Sequence, residues 1–150
     1  MYIRNSSKAL ITSGGKLLLN RCYSRSGEYF ALPGGGQRPG ETLEEALIRE
    51  VREETGYTVK PLRLGALYER ISLSKEEMTG HKLYFVFVCE LKKASVISPS
   101  ETDPCQTGTE WVPLEGIEYA NLYPLVIRAE IRRILNAADC LFLGSERRTF

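Results

Sequence analysis

One stretch limits the folds open to this chain more than any other: residues 42–55 read as an amphipathic helix secured at both ends. Thr42 followed by Glu45 is a capping-box pair, in which hydroxyl and carboxylate each satisfy a free amide of the first turn. Gly56 follows, the residue most easily placed in the left-handed conformation that closes a helix. At about 100° per residue, Leu43, Ala46 and Leu47 form an apolar stripe. Glu50, Glu53 and Glu54 continue that stripe, where a helix packed on a core should carry Leu or Val. Close carboxylates repel one another and are costly to desolvate unless a cation compensates them. Three such oxygens on one face favour a hard divalent ion, Mg²⁺, Mn²⁺ or Ca²⁺, over softer metals.

The segment before the helix strengthens this reading. Leu32-Pro33-Gly34-Gly35-Gly36 lets backbone approach a ligand closely, because glycine has no side chain to obstruct it. Its carbonyls can serve as further hard ligands and its amides can meet phosphate oxygens. Pro39 and Gly40 punctuate the approach to the helix.

Around this centre the chain reads as strands with one further helix. Residues 8–11 and 16–20 flank Ser13-Gly14-Gly15, a hairpin signal, and residues 29–32 form another short strand. Residues 59–73 and 82–91 read as strands joined by the polar segment 74–80. Residues 94–109, rich in Ser, Thr, Pro and Asp, read as a loop, and 110–114 as a short strand. Pro124 opens a second helix with Ile127, Ile131, Ile134, Leu135 and Ala138 on one stripe. Arg128, Arg132 and Arg133 fall mostly away from that stripe, on what reads as a solvated face. Strands in mixed order around two helices predict a layered α/β domain.

Composition narrows the partners. A chain of 150 residues suits one compact domain, expected over 1–150, and its 43% hydrophobic share supplies a core without disulfide staples. Twenty basic and nineteen acidic residues leave a net charge of +1, which offers no broad field for nucleic acid or an anionic membrane. The first residues hold no long apolar run of the signal-peptide kind, and the longest apolar run, 83–89, is too short to span a bilayer. Cys22, Cys89, Cys105 and Cys140 are scattered, and the single His81 cannot complete a zinc site with them. A cytoplasmic protein with reduced thiols is expected.

Residues 35–57 resemble a complete Nudix box, G-x5-E-x7-R-E-U-x-E-E-x-G-U with U a bulky apolar residue. Gly35 starts it, Glu41 follows at the right spacing, and Arg49-Glu50-Val51-Arg52-Glu53-Glu54-Thr55-Gly56-Tyr57 completes it. Tyr57 is the one soft departure, an aromatic where an aliphatic residue is commoner. The resemblance implies an α/β/α sandwich with a mixed sheet and Mg²⁺-dependent hydrolysis of a diphosphate linkage, with Mn²⁺ as a substitute. The substrate would be a small nucleoside diphosphate derivative or a nucleoside triphosphate. Glu50, Glu53, Glu54 and the carbonyl of Gly34 would bind metal. Arg49 and Glu41 would pair to hold loop against helix, and Gly35, Glu41 and Gly56 would be structural. Arg49, Glu50, Glu53 and Glu101 are the candidates for catalysis, with Glu53 first as general base. In several family members the base comes from a loop outside the box, which directs attention to Glu101 and, in reserve, Glu110.

Two other functions are compatible with such a fold: a nucleotide sensor without turnover, or an isomerase acting on isoprenyl diphosphate. The intact set of box carboxylates favours the hydrolase. Substrate-binding residues are not specified by the motif. Tyr29, Phe30, Tyr68, Tyr84 and Phe85 could present a stacking face, although aromatics on strands are more often core. Residues 71–74 contain neither the Pro nor the Tyr that marks some subclasses. Homodimers occur in the family, and no patch in this sequence indicates one.

Overall fold

The computed structural model describes residues 2–73, 80–92 and 97–148. Strand β1 (Ile3–Ser13) turns through Gly14 and Gly15, at φ +55° and +74°, into β2 (Lys16–Ser24). Two successive left-handed residues match the right-handed twist of a tight hairpin, so the Gly-Gly pair fixes this register. Strand β3 (Gly27–Ala31) returns antiparallel along β2, and β4 (Gly34–Gly36) crosses to pair with Ser6, Ser7 and Lys8 of β1. The glycine run thus forms a short strand of its own.

Helix α1 (Leu43–Thr55) follows, with Thr42 and Glu45 forming both halves of the capping box and Gly56 closing it at φ +77°. Strands β5 (Val59–Ser72) and β6 (His81–Leu91) are antiparallel, and β6 runs parallel to β1 over Ile3–Ile11. Residues 74–79 of the polar connection lie outside the described residues. Strand β7 (Gln106–Pro113) starts earlier than expected and pairs with β2, so the loop before it is shorter than 94–109; its residues 94–96 are outside the described ones. A two-residue strand β8 (Leu122–Tyr123), helix α2 (Leu125–Asn136) and strand β9 (Leu141–Arg148) complete the order. Strand β9 lies parallel to β5. The sequence reading had no element there.

The strands form one mixed, curled sheet in the order β8-β3-β2-β1-β6-β5-β9, with β4 added to β1 and β7 to β2. Alternation along β1 explains the layering. Leu10 belongs to a core with Ala66, Val86, Ile127, Ile131 and Ile134 beneath α2. Ala9 and Ile11 belong to a second core with Leu47, Val51, Phe87 and Cys89 beneath α1. The two helices therefore cover opposite faces of the same strands, as a sandwich requires. Ala138 was expected on the α2 stripe but falls beyond the end of the helix at Asn136. Of its arginines, Arg132 and Arg133 lie outward and reach Glu118 and Glu130, whereas Arg128 is half-buried and donates to the Ala120 carbonyl.

Candidate functional site

The box gathers where α1 meets β4. Gly35 has no side chain to spare room for: a Cβ there would lie 2.5 Å from the Glu50 carboxyl carbon. At Gly34 a Cβ would lie 2.0 Å from the Ser7 carbonyl oxygen, and φ is +130°. The two glycines let β4 lie directly against β1 and against the Glu50 carboxyl of α1.

Arg49 is the hub of that corner. Its Nε donates to Glu41 Oε1 at 2.5 Å and its Nη2 to Glu41 Oε2 at 2.9 Å, a bidentate fork. Nη2 also donates to the Gly36 carbonyl at 3.1 Å. Nη1 reaches Glu50 at 2.9 Å and Glu53 at 3.4 Å. The Arg49 hydrogen bonds and the Arg38 amide hold the Glu41 carboxyl down at about 2. Arg49 therefore pins the loop to the helix while also neutralising part of the acidic face.

The three acids of the stripe differ. Glu50 and Glu53 are half-buried, whereas Glu54 is only 2% exposed. Glu54 Oε2 accepts from Asn20 Nδ2 and from the Gly34 amide at 3.1 Å. Burial pushes its carboxyl up to about 7, against the pull of Lys8 and of these two donors. A buried carboxylate that costly is what a site built around a cation leaves behind when only protein groups face it.

All these donors are oxygens, a set that fits a hard divalent cation. Among the described residues, however, no three His, Cys, Asp or Glu side chains are grouped to hold a metal. Glu50 and Glu53 face Arg49, and Glu54 faces Asn20. The Gly34 carbonyl accepts from Lys8 Nζ at 3.0 Å.

Outside the box, the segment before β7 docks on the helix end. The amides of Ser100 and Glu101 donate to the Glu53 carbonyl at 3.1 and 3.2 Å, and Ile97 donates to Gly56. Glu101 itself is exposed. Asp103 is the loop acid that lines the same pocket as Gly34, Gly35 and Glu50. Glu110 sits in β7 opposite Leu19 and is exposed. Among the aromatics, Tyr68 and Tyr84 are mainly core and stack at 5.6 Å between centroids. Tyr84 and Tyr29 also line a neighbouring cavity, while Phe30 and Phe85 pack against the two cores. Tyr57 meets Trp111 edge-on at 5.8 Å and accepts from its indole, a packing role.

Sequence reasoning did not single out Arg4, Lys8, Asn20 or Lys82. Arg4, Lys8 and Lys82 line the pocket with the box, and Asn20 holds Glu54. Alternation marks Arg4, Ser6 and Lys8 as one face of a strand, but only the pairing with β4 shows what that face adjoins.

Residues 3–131 match the NUDIX domain family. The chain belongs to that family. Among curated relatives, a putative 8-oxo-dGTP diphosphatase of Bacillus subtilis is 41% identical over 80 residues, 53% of this chain and 48% of the relative. An ADP-ribose pyrophosphatase of Methanocaldococcus jannaschii is 42% identical over 62 residues, covering 41% and 35% of the two chains. The aligned regions thus span half or less of these relatives' lengths. A MutT protein structure from Bacillus halodurans superposes with TM-score 0.73 at 21% identity, over 97% of this chain and 90% of that one. A MutT protein from Methanosarcina mazei does so with TM-score 0.66 at 28% identity, over 88% and 92%. The Nudix fold neighbours share the mixed curled sheet with two helices found here.

Proposed function

We propose that this Nudix chain hydrolyses a diphosphate linkage in a nucleoside diphosphate derivative or a nucleoside triphosphate, using Mg²⁺ or Mn²⁺. The observation that carries this is the Glu54 carboxyl, 2% exposed and held by the Gly34 amide, on the helix that also carries Glu50 and Glu53. An acidic corner of that kind is unfavourable alone and favourable around a cation.

Glu50, Glu53, Glu54 and the Gly34 carbonyl would hold the metal, which would polarise phosphorus and lower the pKa of an attacking water. To hold a metal, Glu50 and Glu53 would have to turn from Arg49, and Lys8 would have to release the Gly34 carbonyl. Lys8 is then placed to meet a phosphate oxygen. Arg49 keeps its fork on Glu41 throughout, so the loop does not move when the acids do. Glu53 takes the proton from water; the loop supplies Asp103 or Glu101 as the second candidate. The tight network of Arg49 contacts makes its role chiefly one of positioning. We place the protein in the cytoplasm: all four cysteines are free, and among the described residues no helix is long and apolar enough to cross a membrane.

The test is a panel of nucleoside triphosphates, nucleotide sugars and ADP-ribose, scored by product mass. Turnover with Mg²⁺ or Mn²⁺ and none in excess EDTA is expected. Full activity in EDTA would remove the metal from the mechanism, and binding of the panel without turnover would make the chain a sensor.

A further inference from the structure

The sheet carries a row of like charges directly opposite one another. Arg4 on β1 pairs with Lys82 on β6, and Lys82 pairs with Arg70 on β5. Adjacent strands are about 4.8 Å apart, and like charges placed opposite each other destabilise a sheet. The row ends at Glu146 on β9, opposite Arg70, and Arg148 follows two residues later on the same face. Glu146 is already engaged: it accepts from the Tyr68 hydroxyl and pairs with Arg148 at 2.6 Å. At the far end of the row, Glu146 is thus shared by Tyr68 and Arg148 beside Arg70.

This face adjoins the box. Lys8, Lys82 and Tyr84 line both the pocket at Gly34–Gly36 and a second cavity of about 220 Å³. That cavity is further lined by Arg70, Arg148, Tyr29 and Tyr123, and among the described residues no Asp or Glu lines it. The ring of Tyr84 lies under Arg70 at 5.9 Å, so part of this cationic surface is held in place by an aromatic face. Arg4, Lys8 and Lys82, beside the box, are placed for the scissile diphosphate. Arg70 and Arg148 line the second cavity and not the pocket at the box. Glu146 orients Arg148 and the Tyr84 ring orients Arg70.

We propose that Arg70 and Arg148 bind a phosphate group of the substrate outside the scissile diphosphate. The inference rests on the diphosphate hydrolysis proposed above and narrows its substrate class: a diphosphate compound that carries a separate phosphomonoester. Paired arginine forks suit the three oxygens of such a group, and the flanking tyrosines suit the sugar or ring that bears it.

Two matched pairs test this, each keeping the linkage and changing only the extra phosphate: NADP against NAD, and coenzyme A against dephospho-coenzyme A. The phosphorylated member should have the higher kcat/KM, by roughly ten- to hundredfold, the range of a charge-assisted contact. Arg70→Gln and Arg148→Gln should each shrink that preference, while Arg70→Lys, retaining the charge, should keep part of it. Calorimetry on Glu53→Gln with the same pairs reads binding without turnover. Equal kcat/KM within both pairs, or equal affinity within both, overturns the inference while leaving metal-dependent hydrolysis standing. Tighter binding of the phosphorylated members with no cleavage of either supports the subsite and instead counts against the activity.

Discussion

Helices α1 and α2 are near twins in length and amphipathicity, and they cover opposite faces of the same strands. In α2 the buried stripe is Ile127, Ile131 and Ile134, apolar to its end. In α1 it begins Ala46, Leu47, Val51 and then becomes Glu54. Where the buried stripe changes from isoleucine to glutamate, α1 is no longer only a lid on the core, and in the function proposed above it would form the wall of a site. The difference shows that burial alone does not separate structural from functional positions. What separates them is whether the buried group has a reason to be polar.

The comparison is broken most severely by Glu53→Gln. If the last turn of α1 carries the chemistry, kcat should fall by roughly 10²–10⁴ with the melting temperature nearly unchanged. Near-wild-type turnover on an identified substrate would move the chemistry elsewhere. The mirror experiment is Ile131→Ala in α2, which should cost about 2–5 kcal/mol in chemical denaturation. It should leave kcat of the folded fraction close to wild type; a large loss of kcat at full folding would erase the division between the helices.

A smaller effect sharpens the comparison through pH. Glu54 has its folded pKa raised by burial to about 7, from 4.5. The folded metal-free protein therefore binds the proton more tightly than the unfolded chain does. Its stability should decline as pH rises from about 4.5 to about 7, level off above, and lose this slope in Glu54→Gln. Thermal melts in EDTA across that range check it, and an unchanged slope in the variant would clear Glu54 of the cause. Glu41 runs the other way: Arg49 lowers its pKa to about 2, so its contribution is present above pH 4.5 and disappears as pH falls through 2.

The smallest effect belongs to the start of α1. Glu45→Gln weakens one arm of the capping box, in which the Glu45 carboxylate accepts from the Thr42 amide at 3.0 Å. It should cost at most about 1 kcal/mol and change no kinetic constant. A kinetic defect there would mean that the whole helix, not its last turn, is tuned for catalysis.

Much of this is legible in the sequence alone. The capping box, the left-handed Gly56, the Gly14-Gly15 hairpin and the carboxylate stripe are local signals, each specified within a few residues. The NUDIX family match agrees with the motif they compose. What was not legible depends on distant pairing. Strand β9 has neither strict alternation nor a turn partner, and it exists because the edge of β5 accepts it. The opposed Arg4, Lys82 and Arg70 are 78 and 12 residues apart along the chain, so only sheet register brings them into a row. The acidic face was visible as a pattern, but its split into two half-buried acids and one buried one depends on Asn20 and the Gly34 amide.

If an acid of the loop before β7 serves as base, the docking of residues 97–101 on the end of α1 would set how it can move. Carbonyls at a helix end have no intrahelical partners, and here Glu53 and Gly56 receive theirs from Ile97, Ser100 and Glu101. A Cβ on Gly56 would lie 1.8 Å from the Ile97 carbonyl oxygen, so the two backbones are in direct contact. Lifting the loop would strip those carbonyls, which ties loop and helix end into one opening unit. Asp103, which lines the pocket with Glu50, would then act by turning about its own side-chain bonds, on the picosecond-to-nanosecond scale, without the microsecond-to-millisecond travel of a closing lid. Proton transfer from water to this loop would be limited by chemistry, with no gate ahead of it.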